Sequence, residues 1–305
     1  MKVIVQPQNG YINRIQALVS SALLAQEISA ECEVQWVPDS TAPANPAQIF
    51  GTEFLQYFAP KPQVWDLKPY LNYDVTAGIV TLAGLDRGEQ EFMPDLRALL
   101  QSGQVISEIR ISAGGKFSLS DIDSTFTATR SNFYRRELKF TESIESFVAN
   151  ELASQGEYLG LHLRYSDRNH QAPTRKKTLK AIQDLSRDSG IRAVFIATDT
   201  PSDLHWWKSE LQSVGLSAWW VQAADLPRDD SRGGLAAMVD WRVLGKSRGV
   251  VYFSESSFGE EAAVASGFCD ISIGLGPSNS RAFWVRLRTY LAAGITYPRR
   301  HFFSE

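Results

Sequence analysis

Only two cysteines, Cys32 and Cys269, occur in this chain of 305 residues. So few thiols cannot build a disulfide framework, and a reducing compartment is the expectation. Histidine is scarce as well, at four residues, and neither Cys-x-x-Cys nor His-Glu-x-x-His occurs. A zinc centre is therefore not expected. Positive charge is not in surplus: 31 Lys plus Arg stand against 34 Asp plus Glu, a net charge of -3. That balance argues against a general nucleic-acid binder, which carries a basic stripe. No apolar run has the length of a membrane span. Residues 15–25 are apolar and follow Lys2 and Arg14, the outline of a signal peptide. However, MKVIVQP reads as a strand, and Ile12, Ile15, Leu18, Val19, Ala22 and Leu23 recur at helical spacing. Strand, loop and helix from residue 2 fit better than a leader, which points to the cytoplasm.

What is present is ordinary globular composition, 44% hydrophobic and 21% charged. The length suggests two domains of roughly 150 residues each, enough to bury cores without staples. KVIVQP (2–7), a helix (12–29) and CEVQWV (32–37) open the chain, followed by a Pro- and Ala-rich loop (38–47). Residues 113–131 show almost no period and are rich in Gly, Ser and Thr, which marks them as the domain junction. After the helix TESIESFVANEL come four short apolar strands: YLGLHLR (158–164), RAVFIATD (192–199), SAWWVQ (217–222) and GVVYFSE (249–255). Helical patterns near 202–214, 233–247 and 258–267 separate most of them. This alternation implies parallel sheets covered on both faces. The expected fold is α/β, with two Rossmann-like domains, 1–130 and 131–305, and a cleft between them.

Ligands in such sheets sit at the carboxyl ends of the strands. Four strand ends carry polar residues: Gly10, Asn13 and Arg14; His162, Arg164, Asp167 and Arg168; Asp199 and Thr200; and Ser254, Ser256, Ser257 and Phe258. An arginine fork together with a Ser-lined helix start suits a diphosphate better than a neutral ligand. Each has a plainer reading. His162 is a hydrogen-bonded strand residue, Arg164 pairs with Asp167, Ser256 and Ser257 cap a helix, and Asp199 is a turn residue before Pro201.

Other signals are weaker. Gly274 and Gly276 follow DISIG, but the rest of Gly-x-Gly-x-x-Gly is missing. Asp121 and Asp123 have the spacing of a metal-binding pair, a spacing that chance also supplies. Trp206-Trp207 and Trp219-Trp220 suit sugar stacking, although strand alternation should bury one Trp of the second pair. Arg175, Lys176, Lys177 and Lys180 form a basic turn, ordinarily a solvated face.

GLHLRYSD resembles the first motif of the α1,6-, nodulation and protein O-fucosyltransferases, a His-x-Arg at a strand end commonly followed by a second Arg and an Asp. IATDTPSDL resembles their next motif. VDWRVLGKSRGVVYFSESSFGEEAA resembles the third, in which an Asp (here Asp240) stands sixteen residues before a Ser-Ser pair. NGYINRIQALVSSALLA is similar to their N-terminal loop and helix. The resemblance implies a GT-B-type, inverting, metal-independent enzyme with GDP-fucose as donor and a glycan or glycosylated acceptor. It implies that the N-terminal domain takes the acceptor and the C-terminal domain the nucleotide sugar. It assigns Arg164 to the β-phosphate and the departing diphosphate, and His162 and Asp240 to the ribose or guanine. Ser256, Ser257 and Phe258 bind phosphate and pack on the nucleotide, Asp199 orders the pocket, and Asn13 and Arg14 reach across the cleft. Two positions depart from the pattern: Tyr165 replaces the second Arg, and Arg168 the usual Lys. Asp167 is the nearest candidate base. A nucleotide-sugar-binding protein without turnover, or a transferase with another donor, is the alternative.

Overall fold

The structure, a computed structural model, describes residues 1–63, 65, 70–85, 92–165, 173–221 and 231–276. Strand β1 (Lys2–Pro7) is buried from Val3 onward, as a strand covered on both faces must be. The apolar stripe that follows becomes α1 (Tyr11–Glu27), whose burial extends to Arg14, Gln16, Ser20 and Ser21. Then come β2 (Glu31–Val34), a one-turn helix α2 (Pro46–Ile49), β3 (Tyr70–Asp74), β4 (Ile79–Leu85), α3 (Met93–Gln101) and β5 (Glu108–Ala113). These strands form one sheet in the order β2-β1-β5-β4-β3, parallel except for the β3–β4 pair.

Two helices, α4 (Ser124–Arg136) and α5 (Glu142–Ala153), lead to the second sheet. The expected aperiodic stretch 113–131 thus contains the start of a helix. Asp123 caps it, its carboxylate accepting from the Phe126 N–H at 2.9 Å. Its buried face is Phe126, Arg130, Phe133 and Tyr134. A charge stands in the stripe, so a search for apolar period passes over it. Residue 130 lies inside this helix, which packs on both α1 and α9 (below).

The second sheet alternates strand and helix: β6 (Tyr158–Leu163), α6 (Arg175–Ser189), β7 (Ala193–Thr198), α7 (Leu204–Ser213), β8 (Ser217–Trp219), α8 (Ser231–Leu244), β9 (Val250–Phe253), α9 (Ser257–Ser266) and β10 (Ile273–Leu275). Its order is β10-β9-β6-β7-β8, all parallel. The basic residues Arg175–Lys180, read from the sequence as a turn, open α6 behind the cap Thr174. Trp207 is fully buried, while Trp219 and Trp220 are both half-buried rather than split between core and surface. Strand β8 ends at Trp219, so strand alternation does not govern the pair.

Both sheets therefore have a crossing point, between β1 and β5 in the first and between β6 and β9 in the second. A large apolar cluster runs from Val3 and Ile15 to Trp241 and Val264, and a smaller one, with Leu161, Ile182 and Trp207, covers the other face of the second sheet. Among the described residues no helix is long and apolar enough to cross a membrane.

Candidate active site

Alternation along β6 decides which side chains reach the crossing of the second sheet. Leu161 and Leu163 join the smaller cluster. Gly160 and His162 take the opposite face, where a Cβ on Gly160 would lie 2.8 Å from Leu244. His162 is buried and its ring stacks on Phe258, with centroids 4.9 Å apart and planes at 21°. Gly259 makes that stack possible: a Cβ there would lie 2.5 Å from the Cβ of Tyr252 and 2.9 Å from His162 Nδ1. Only glycine lets the first turn of α9 sit so close to the sheet.

Ser256 caps α9 in extended conformation, and its side chain makes no capping hydrogen bond. The residue is fully buried and its Oγ has no hydrogen-bond partner among the described residues. A buried unpaired hydroxyl costs roughly 1–3 kcal/mol, and native structures keep few such groups. The free N–H groups of a helix start lie beside it, which is the arrangement that receives an anion.

Beyond the end of β6, Arg164 is half-buried. With His162, Tyr165, Thr178, Tyr252 and Phe253 it lines a cavity of about 10 Å³. Asp199, after β7, accepts from the Tyr165 backbone N–H at 2.9 Å and from the Thr200 hydroxyl at 3.1 Å, tying two strand ends together. Tyr165 itself is half-buried against the Leu161–Leu163 cluster. Asp240, on α8, is 8% exposed and pairs with no described residue, and burial pushes its carboxyl up to about 8. Asp167 and Arg168 lie outside the described residues.

The first sheet contributes across the cleft. Gly10 precedes α1, and a Cβ there would meet nothing within 4 Å. Asn13 donates from Nδ2 to the Gly114 carbonyl at 2.6 Å, and its Oδ1 accepts from Ser257 Oγ at 3.0 Å. The two crossing points thus meet through Asn13 and Ser257.

Arg14 departs from expectation. Its buried guanidinium donates to the Asn9 carbonyl (2.8 Å), the Val37 carbonyl (2.6 Å) and Asp39 (2.5 Å), over the ring of Trp36. It fastens the loops after β1 and β2 instead of reaching over the cleft. The physical reason is local: two loop carbonyls and a carboxylate converge on one fork.

Sequence reasoning missed a buried polar group beneath these residues. Glu261 accepts from Gln16 Nε2 (2.7 Å), the Tyr134 hydroxyl (2.6 Å) and Arg130. The available signal was one acid inside the apolar helix EAAVAS.

No family model and no curated sequence matches the chain. Among solved structures, Arabidopsis thaliana FUT1 in complex with GDP superposes with a TM-score of 0.62 at 12% identity, over 87% of this chain and 68% of that one. The fucosyltransferase NodZ from Bradyrhizobium gives 0.55 at 18% identity, over 86% and 90%. POFUT1 in complex with GDP gives 0.53 at 11%, over 91% and 97%. The chain has the fucosyltransferase fold. It is the two-sheet GT-B arrangement that the motifs implied, and identities this low speak for the fold alone.

Proposed function

We propose that the protein is a glycosyltransferase that moves fucose from GDP-fucose to a hydroxyl of a glycan or glycosylated acceptor. The observation that carries this reading is the buried, unpartnered Ser256 hydroxyl at the start of α9, beside the His162–Phe258 stack at the β6/β9 crossing. In the proposed reaction the acceptor oxygen attacks the anomeric carbon from the face opposite the diphosphate, inverting it. The carbon–oxygen bond to phosphate breaks and GDP leaves with the electron pair. Arg164 stands over the developing charge, where a fixed cation lowers a barrier most. The start of α9, with Ser256 and Ser257, holds the phosphates. These groups supply the positive field, so the scheme requires no metal. His162, Phe258 and Asp240 bind the nucleoside, and Asp199 keeps the loop after β6 in place. The acceptor's proton passes to Asp167 or to water. The acceptor enters from the side of the first sheet, near Asn13. Two free cysteines fit a reducing, cytoplasmic setting.

GDP release from GDP-fucose with a panel of acceptor glycans tests the reading. Activity should appear in the wild type and fall at least about 100-fold in Arg164→Ala, with the melting temperature kept. Full activity in that variant would overturn it. Tyr165 favours a second reading, a nucleotide-sugar-binding protein without transfer, because a half-buried ring supplies no cation beside the diphosphate. Tight GDP binding with no turnover of any acceptor would identify it. Competition by UDP but not GDP would instead indicate another donor.

A further inference from the structure

Beneath the proposed site, three helices meet on one carboxylate. Glu261 lies four residues after Ser257 on α9, and Gln16 three residues after Asn13 on α1. Residues at that spacing stack on one helix face. The two helices are therefore joined by two rungs: Ser257 Oγ to Asn13 Oδ1 at the mouth, and Gln16 Nε2 to Glu261 Oε1 one turn below. From the third helix, α4, Arg130 donates to Oε1 and the Tyr134 hydroxyl to Oε2. All four side chains are 0–3% exposed. At the edge of the cleft, Lys116 pairs with Glu260, next to Glu261.

A buried ion pair roughly breaks even against an apolar pair of the same shape, because desolvation offsets the attraction. What it adds over an apolar contact is direction, since hydrogen bonds fix the relative position of the helices. The helices fixed here carry Asn13 on one side of the cleft and Ser256, Ser257 and Phe258 on the other.

We propose that Glu261 is a positioning residue, whose buried bonds to Gln16, Arg130 and Tyr134 set the first turn of α9 against α1 across the cleft. The kinetic consequence rests on the transferase reading above; the geometric one does not. The His162–Phe258 stack and the Gly259 contact hold α9 to its own sheet independently. Loss of the network should therefore leave nucleotide binding in place while misaligning the two sides of the cleft. A misplacement of about 1 Å costs on the order of 100-fold in rate.

The test replaces the pair by apolar side chains of similar volume, Arg130→Met with Glu261→Met, beside Glu261→Gln, which keeps the shape and one acceptor oxygen. Hydrogen exchange of the peptides containing residues 11–16 and 256–262 should rise together in the double variant, more than in the rest of the chain. Its melting temperature should fall by several degrees because Gln16 Nε2 and the Tyr134 hydroxyl lose their acceptor. The GDP dissociation constant should change less than about 3-fold, while kcat falls on the order of 100-fold and Glu261→Gln recovers part of it. Wild-type exchange in both peptides of a folded double variant would overturn the proposal. So would an unchanged kcat in the double variant, given a wild type that turns over. If the double variant does not fold, Glu261→Gln carries the same exchange comparison. If the wild type itself transfers no fucose, the transferase reading fails and the exchange result alone decides the positioning role.

Discussion

Asp240→Asn tests whether a buried carboxylate on α8 is held neutral. In the folded protein burial raises the group from 3.8 to about 8, with no opposing partner among the described residues. Between those values the native state keeps a proton that the unfolded chain has released. The free energy of unfolding therefore falls as pH rises. The contribution is intact below about pH 4 and fully lost above about pH 8. Four pH units at about 1.4 kcal/mol each set an upper bound near 6 kcal/mol. Water entry around the ionised group lowers such penalties, so about 3 kcal/mol is expected between pH 5 and pH 8.5. Asparagine has the same shape and does not ionise. Urea midpoints at pH 5, 6.5 and 8.5 should thus show the variant gaining on wild type as pH rises. Glu261 and Asp39, both held below the usual carboxylate range, act only in more acidic solution and do not enter this window. Parallel midpoints for the two proteins would refute the reasoning. If N–H donors of a bound nucleotide face this carboxyl, binding at pH 7 expels its proton. Calorimetry in buffers of different ionisation enthalpy should register that release in wild type and not in Asp240→Asn.

Three further substitutions separate site from scaffold. Gly259→Ala places a Cβ against Tyr252 and His162, and should cost about 1–3 kcal/mol in chemical denaturation and weaken GDP binding. A variant as stable as wild type would contradict the packing account. Ser256→Ala removes a hydroxyl that has no partner among the described residues, so stability should hold within about 0.5 kcal/mol or rise, while GDP affinity falls about 10–100-fold, the effect of one hydrogen bond to a charged group. Unchanged affinity would remove Ser256 from the phosphate site. Arg14→Met strands two loop carbonyls and should cost about 2–4 kcal/mol, with GDP affinity within 2-fold of wild type. A selective loss of GDP binding would restore the arginine to the cleft.

The strands and helices that build both crossings were legible because their periods are clean. KVIVQP and YLGLHL are near-continuous apolar runs, and the helical stripe read from Ile12 to Leu23 is buried from Ile12 to Ala22 in α1. Three features were not. α4 escaped notice because Arg130 interrupts its buried face, and a buried charge looks like a surface one until its partner is known. That partner, Glu261, is 131 residues away, beyond the reach of any local pattern. Arg14 was misplaced for a related reason. A sequence shows that an arginine follows a strand, whereas Val37 and Asp39, which claim it, come from another loop. Among the candidate site residues, the contact of His162 with Phe258 follows from the strand-end rule once the order β10-β9-β6-β7-β8 is known, whereas that of Asn13 with Ser257 depends on how the two sheets face each other, which no strand order contains.

The central claim is a nucleotide site at the β6/β9 crossing, and titration calorimetry with GDP, GDP-fucose and UDP in the presence of a chelator tests it most directly. Binding of GDP and GDP-fucose but not UDP, abolished in a folded Arg164→Ala variant, is the expected result. No binding of any of the three, or equal binding of UDP, would contradict it and leave only a shared fold.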